Sequence, residues 1–246
     1  GVYEHQRAVT SDKRVYLLTR CAFAGQQRYA ANTWSGDVMC NWETFRKQIP
    51  TGLNFSLSGI PYWNTDIGGF FNWPYHGGAE NKAYHELYTR WFQYGTFLPM
   101  QRSHGSGVKK EIYNLGKKGD WVYDSEEKYI NLRYALLPYL YSTGWQVTDN
   151  AGSFLRALFM DFNEDKKVHT ISNQYMFGKA FLVTPVTRNM YVFSDKEQWK
   201  DPYEDFSKTG TQDVYLPKGT KWFDFWTGEA LNGGQLVTKE VPIDII

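Results

Sequence analysis

Residues 79–94 constrain the fold more than any other stretch. Tyr84, Leu87, Tyr88, Trp91 and Phe92 recur at the i, i+3, i+4, i+7 and i+8 positions of one helical face, and Gly95 follows as a stop. The spacing predicts a helix over Ala79 to Tyr94 whose aromatic stripe is core rather than a ligand box. Such a stripe must lie against another layer, and the neighbouring runs are strand-like. Val15–Thr19 leads into Arg20, Ile60–Thr65 into Asp66 and a Gly-Gly turn, and Phe97–Met100 into Gln101-Arg102-Ser103-His104. Asn41 can cap a shorter helix over Trp42 to Ile49, ended by Pro50, with a short amphipathic piece over Leu53 to Ser58. Ser125-Glu126-Glu127-Lys128 offers a capping start for a helix over Ser125 to Thr143, which Pro138 kinks or ends. Strands alternating with helices of this length predict βα units and an α/β fold.

The texture changes after about residue 179. Lys179–Val186, Met190–Phe193, Val214–Pro217, Lys221–Trp226 and Gln235–Val241 are short strand-like runs separated by Gly-rich turns, with no helical period among them. We therefore expect two domains, 1–178 with βα units and 179–246 as an all-β sandwich, truncated at its end. The chain starts on Gly1 rather than Met and stops in the apolar run Val241–Ile246, so it reads as a piece of a longer protein.

Net charge is +1, from 27 basic and 26 acidic residues that are scattered along the chain. Bulk attraction to nucleic acid or to an anionic membrane surface is not expected. No apolar run reaches the length of a membrane span. Cys21 and Cys40 make neither a disulfide framework nor a metal-binding spacing, and nothing calls for a metal or organic cofactor. Aromatics make up 18% of the chain, including 10 Trp; flat aromatic faces beside polar loops suit the C–H face of a sugar ring.

The candidate site residues lie where strand-like runs end. Asp37 closes Trp34-Ser35-Gly36-Asp37, and Asp66 stands before Ile67-Gly68-Gly69. Loops after strands present polar groups on a fixed backbone, which is how sites are commonly built. On spacing alone, turn or capping roles for both acids stay open. Arg102 and His104 are two apart, so an extended segment points them the same way. One imitation is set aside. Asp161-Phe162-Asn163-Glu164-Asp165 starts like a calcium loop, but Lys166 holds the glycine position and Ser172 the final glutamate position, so it reads as an acidic surface turn.

Five segments, in this order, together resemble glycoside hydrolase family 31. They are Leu18-Thr19-Arg20…Phe23-Ala24-Gly25…Trp34-Ser35-Gly36-Asp37; Gly59-Ile60-Pro61…Asp66-Ile67-Gly68-Gly69-Phe70; Arg90-Trp91-Phe92-Gln93-Tyr94-Gly95…Arg102-Ser103-His104; Leu132-Arg133-Tyr134…Leu137-Pro138-Tyr139; and Asp224-Phe225-Trp226-Thr227-Gly228. The resemblance implies the second half of a (β/α)8 barrel followed by a β-sandwich. It implies that Asp37 is the general acid/base and that Arg20 and Trp34 stand near the sugar. By the same match, Asp66 supports the arginine and the site floor, while Arg102 and His104 form a pair whose histidine bonds a sugar hydroxyl.

The family's nucleophile, an Asp in a W-x-D-M-N-E-type segment, has no match before Asp37. Asp161 lies downstream in a different context and is not assigned. The resemblance thus implies a retaining α-glycosidase acting on an oligosaccharide, with the upstream half of the same chain needed to complete the site. Alone, the piece is expected to be inactive and prone to self-association. The segments around Trp63 and Arg102 resemble α-xylosidases acting on xyloglucan more than starch α-glucosidases, with Trp63 positioned to crowd the hydroxymethyl of glucose. α-Glucosidase is the alternative, and a non-catalytic glycan-binding module the second.

Overall fold

The computed structural model describes residues 1–246. A short exposed helix, α1 (Val2–Val9), precedes a parallel sheet of β1 (Leu17–Thr19), β2 (Ala31–Trp34) and β3 (Trp63–Asn64) in sequential order. Leu17 pairs with Ala31, and Thr33 with Trp63. The wall continues through residues 101–106. Ile67 N donates to Arg102 O at 3.1 Å, and Phe71 bridges Ser106 in parallel. All four segments run the same way, so their C-terminal ends share one rim, as in the wall of a barrel.

Helix α2 (Trp42–Leu57) connects β2 to β3. Asn41 caps it, its Oδ1 accepting from Thr44 N at 2.7 Å. The helix does not end at Pro50 as the sequence suggests; it runs through the proline and absorbs the predicted piece at 53–58. The face carrying Phe45, Ile49 and Leu53 is buried, and Phe45 stacks on Trp91 with ring centroids 4.8 Å apart. Burial on that scale outweighs one missing backbone hydrogen bond.

Helix α3 (Lys82–Thr96) starts at Asn81, whose side chain accepts from the amides of Ala83 and Tyr84. The predicted stripe is core, but so is the opposite face: every residue from Ala83 to Thr96 is buried. After the short α4 (Ile112–Leu115) comes α5 (Trp121–Ala135), which starts at Asp120 rather than Ser125. Ser125 and Glu126 are buried within the helix. Leu136 separates it from α6 (Leu137–Asn150), where Pro138 sits in the first turn and its missing N–H has no partner to lose.

The rest of the chain is β-rich and antiparallel. β4 (Leu155–Ala157), β5 (Tyr175–Phe177) and β6 (Phe181–Val183) form one sheet, with the single-turn α7 (Leu158–Asp161) inside it in sequence. β7 (Val192–Phe193) pairs with β8 (Tyr203–Glu204). β9 (Thr211–Leu216), β10 (Lys221–Phe223), β11 (Ala230–Asn232) and β12 (Gln235–Glu240) give a six-residue β9–β12 ladder and a short β10–β11 pair. Residue 178 falls between two hydrogen-bonded strands, β5 and β6, of a sheet that begins at Leu155. The acidic stretch at 161–165 is only partly a surface turn. Asp161 pairs with Arg156, while Asp165 is buried and accepts from Tyr215 Oη and Lys218 N.

Helix α3 joins the two parts. Glu86 accepts from the amides of Met190, Tyr191 and Val192 at 2.7–3.3 Å. Arg90, fully buried, donates to the carbonyls of Val241, Pro242 and Ile245, and Gln93 donates to Ile243 O. One hydrophobic cluster runs from Cys40 to Val192 and joins the parallel sheet to the first strands of the β-rich part, while Leu158, Val168, Met176 and Tyr215 form a small second cluster.

Candidate active site

Four strand ends bring their charged residues to one rim. Trp34 ends β2, and three residues later Asp37 emerges into solvent. Ser35 ties this end to its neighbour, its amide donating to Asn64 O and its hydroxyl to Thr65 Oγ1, both at 3.2 Å. Gly36 makes the turn at φ +76°, and a Cβ there would lie 3.3 Å from Arg20 Nε and Nη2. Positive φ and a close guanidinium both favour glycine at this position. The turn is stitched on its other side by Phe70 N and Phe71 N, which both donate to Val38 O.

Arg20, at the end of β1, places Nη1 3.6 Å from Asp37 Oδ2. With the arginine side chain 59% and the carboxylate 34% exposed, this pair orients the acid more than it stabilises the fold. The Trp34 ring has two cations within reach, with the Arg20 guanidinium 6.0 Å and that of Arg102 5.4 Å from its centroid. Those cation–π contacts hold both arginines at the rim.

Asp66 is fully buried and accepts from Arg102 Nη1 through Oδ1, while Oδ2 has no partner. Burial pushes its carboxyl above the ordinary aspartate range, against the opposing pull of Arg102, His104 and Lys110. Asp66 is thus a floor residue that fixes Arg102, not an acid exposed to a ligand. His104 stands two residues beyond Arg102, exposed, with its ring 5.5 Å from that of Phe70.

Trp63 belongs elsewhere. It is 1% exposed and lies under α2, against Phe55 and so close to Gly52 that a Cβ there would be 2.7 Å from its ring. Alternation along β3 explains this: Asn64 and Trp63 point to opposite faces, and the tryptophan takes the helix side. Its expected role beside the sugar is therefore withdrawn.

Sequence reasoning missed Lys110. Lys109-Lys110 looks like an ordinary solvated pair, yet Lys110 is buried beneath the rim, with Nζ donating to the carbonyls of Ile67, Gly69 and His104. The only hint was the Gly68-Gly69 turn, which leaves carbonyls free to face inward. A cavity of about 1170 Å³ lies apart from this site. It is lined by Val15, Tyr16, Asn32, Tyr62, Met100 and Arg133, on the side of the sheet where the strands begin.

Comparison with known proteins places the chain in one enzyme family. The family model described as the glycosyl hydrolases family 31 TIM-barrel domain matches residues 1–143. The glycosyl hydrolase family 31 C-terminal domain model matches residues 151–246. An α-xylosidase of Saccharolobus solfataricus is 47% identical over all of this chain and 30% of its own length. α-Glucosidase 2 of Bacillus thermoamyloliquefaciens is 32% identical over 96% of this chain and 26% of its own. The crystal structure of a GH31 α-xylosidase from Xanthomonas citri superposes with a TM-score of 0.86 at 42% identity, covering 99% of this chain and 25% of that one. The chain thus spans less than a third of the length of each of these relatives.

Proposed function

Because the chain belongs to glycosyl hydrolase family 31, we propose that it supplies the general acid/base and the sugar-binding rim of a retaining α-glycosidase that removes terminal α-linked xylose from oligosaccharides such as xyloglucan fragments. The observation that carries this reading is the solvent-facing Asp37 at a strand end, oriented by Arg20 at 3.6 Å, with the Asp66–Arg102 pair and His104 on the next strand ends.

Retaining hydrolysis needs two carboxyls about 5–5.5 Å apart, one attacking the anomeric carbon and one protonating the leaving oxygen. In such a pair the nucleophile's charge keeps the acid protonated; once the nucleophile is glycosylated that charge is gone and the same acid serves as base. Asp37 takes the acid/base role, since it alone of the two strand-end aspartates meets solvent. Asp66, buried and bonded to Arg102, cannot reach an anomeric carbon. By the family resemblance, the nucleophile is a carboxylate of an upstream segment outside these 246 residues. Arg102 and His104 bind hydroxyls of the sugar, and Trp34 forms the wall that holds both arginines in register. No step calls for a metal or organic cofactor. We take the division between barrel and β-rich parts to lie between 143 and 151, ahead of the β4–β5–β6 sheet.

The xyloside preference rests on similarity, 47% to an α-xylosidase against 32% to an α-glucosidase. With Trp63 buried, the side chain expected to crowd a glucose hydroxymethyl is not at the rim, so α-glucosidase is the second reading. The test is hydrolysis of aryl α-xyloside and aryl α-glucoside, side by side, by the parent protein that carries this chain. Faster xyloside cleavage supports the first reading and faster glucoside cleavage the second. No turnover of either, with sugar still bound, makes the rim a binding site only.

A further inference from the structure

We propose that Lys110 is a positioning residue of this site: its ammonium ties the turn carrying Asp66 to the turn carrying His104 and so sets both against a bound sugar. The inference rests on the glycosidase reading above and adds a residue to it. Lys110 is 6% exposed, and Nζ donates to Ile67 O at 2.8 Å, to His104 O at 2.8 Å and to Gly69 O. Three ammonium N–H groups meet three carbonyls, so the cation is fully partnered without a salt bridge. Its own carbonyl is held by Tyr88 Oη of α3 at 2.8 Å, which anchors the lysine to the most buried helix of the fold.

The consequence for the site follows from what else holds His104. Its side chain is exposed and only rests on Phe70, so its position depends on its backbone. Lys110 grips that backbone and, through Ile67 and Gly69, the turn directly after Asp66. Gly105 lets the amine in: a Cβ there would lie 2.7 Å from Nζ.

A cation held this way is sensitive to alkali. Burial brings the Lys110 amine down to about 8. The charged and titratable groups facing it are Asp66, Arg102 and His104 on the strand ends, Cys40 on the turn after β2, and Tyr88 on α3. The Cys40 thiol is pushed up to about 12 by burial and stays neutral through this range. A neutral amine has two N–H groups for three carbonyls, so the tie loosens as pH rises through about 8.

The experiment uses the parent enzyme and an α-xylosyl fluoride, whose leaving group needs no proton, so that the acid/base residue's own ionisation drops out of the alkaline limb. Wild-type kcat/KM should fall with a midpoint near pH 8. K110Q, uncharged at every pH, should be flat there. K110M should lose about tenfold to a hundredfold in kcat/KM at pH 7, mainly in kcat, as misplaced sugar contacts act on the transition state. Wild-type kcat/KM in K110M at all pH, or an unchanged alkaline limb in K110Q, would overturn the proposal; K110Q decides it if K110M does not fold. If the wild-type parent turns over no glycoside, the functional reading fails by itself. Amide exchange at 66–70 and 103–106 then tests the tie: faster exchange in K110M supports it, unchanged exchange refutes it.

Discussion

The role proposed for Asp37 is tested by how the leaving group departs. A substrate that leaves easily needs little protonation, so Asp37→Ala in the parent enzyme is expected to cost most on natural oligosaccharides, about a hundredfold or more, and least on aryl glycosides with acidic phenols. Equal losses across a leaving-group series would reject the acid/base role. Glu126 makes a different prediction. It is fully buried, and the neighbouring Thr89 hydroxyl offers its carboxylate at most a long contact. Burial pushes its carboxyl well above the ordinary glutamate range. The folded-state pKa is raised, so this group's stability is fully present below the unfolded value near 4.5 and is lost as pH rises toward the folded value. Glu126→Gln should remove that loss. Thermal unfolding of the variant should gain on wild type from pH 5 to pH 8, and an unchanged gap would show that Glu126 is ionised in the fold.

Among the elements, α3 is decisive. Its aromatic stripe was plain in the sequence, because five apolar residues at helical spacing leave one face to cover. Its other face was not, since Glu86, Arg90 and Gln93 look like solvated polar positions and their partners lie about 100 to 150 residues away. Arg90→Met leaves Ile245 O without a donor and takes one of two donors from Val241 O, which keeps Tyr191 Oη, and from Pro242 O, which keeps Ile245 N. A stranded buried carbonyl costs about 1–3 kcal/mol, so the parent protein should lose about that much in denaturant unfolding. Amides near 241–246 should exchange faster. Wild-type stability in this variant would mean that the clamp is incidental. Helix α2 carries the same lesson in reverse: Pro50 looked like an end, and packing of Phe45 against Trp91 carried the helix past it.

For the molecule as a whole, the proposed reading puts the sugar-binding rim in this chain and the second carboxyl in the rest of the parent protein. The 246-residue chain prepared alone is expected to hydrolyse neither aryl glycoside; measurable turnover would require a nucleophile within it. Tyr134, Leu137, Tyr141 and Trp145 remain exposed along α5 and α6. Together with the cavity on the same side of the sheet, they predict concentration-dependent self-association of the isolated chain, which sedimentation would detect.

The sequence by itself determined the βα alternation and the aromatic core stripe, and its family resemblance pointed to Arg20, Trp34, Asp37, Asp66, Arg102 and His104. The first two signals are local: periodicity within one element, or a strand-like run closed by a turn motif. Tertiary structure alone decided that Trp63 faces a helix, that Asp66 is sealed beneath Arg102, and that Lys110 lies under the rim. Each of these depends on which face of a strand meets a neighbour, and on carbonyls that a distant turn directs inward. No spacing along the chain encodes that, because the partners come together only when the sheet closes over α2 and α3.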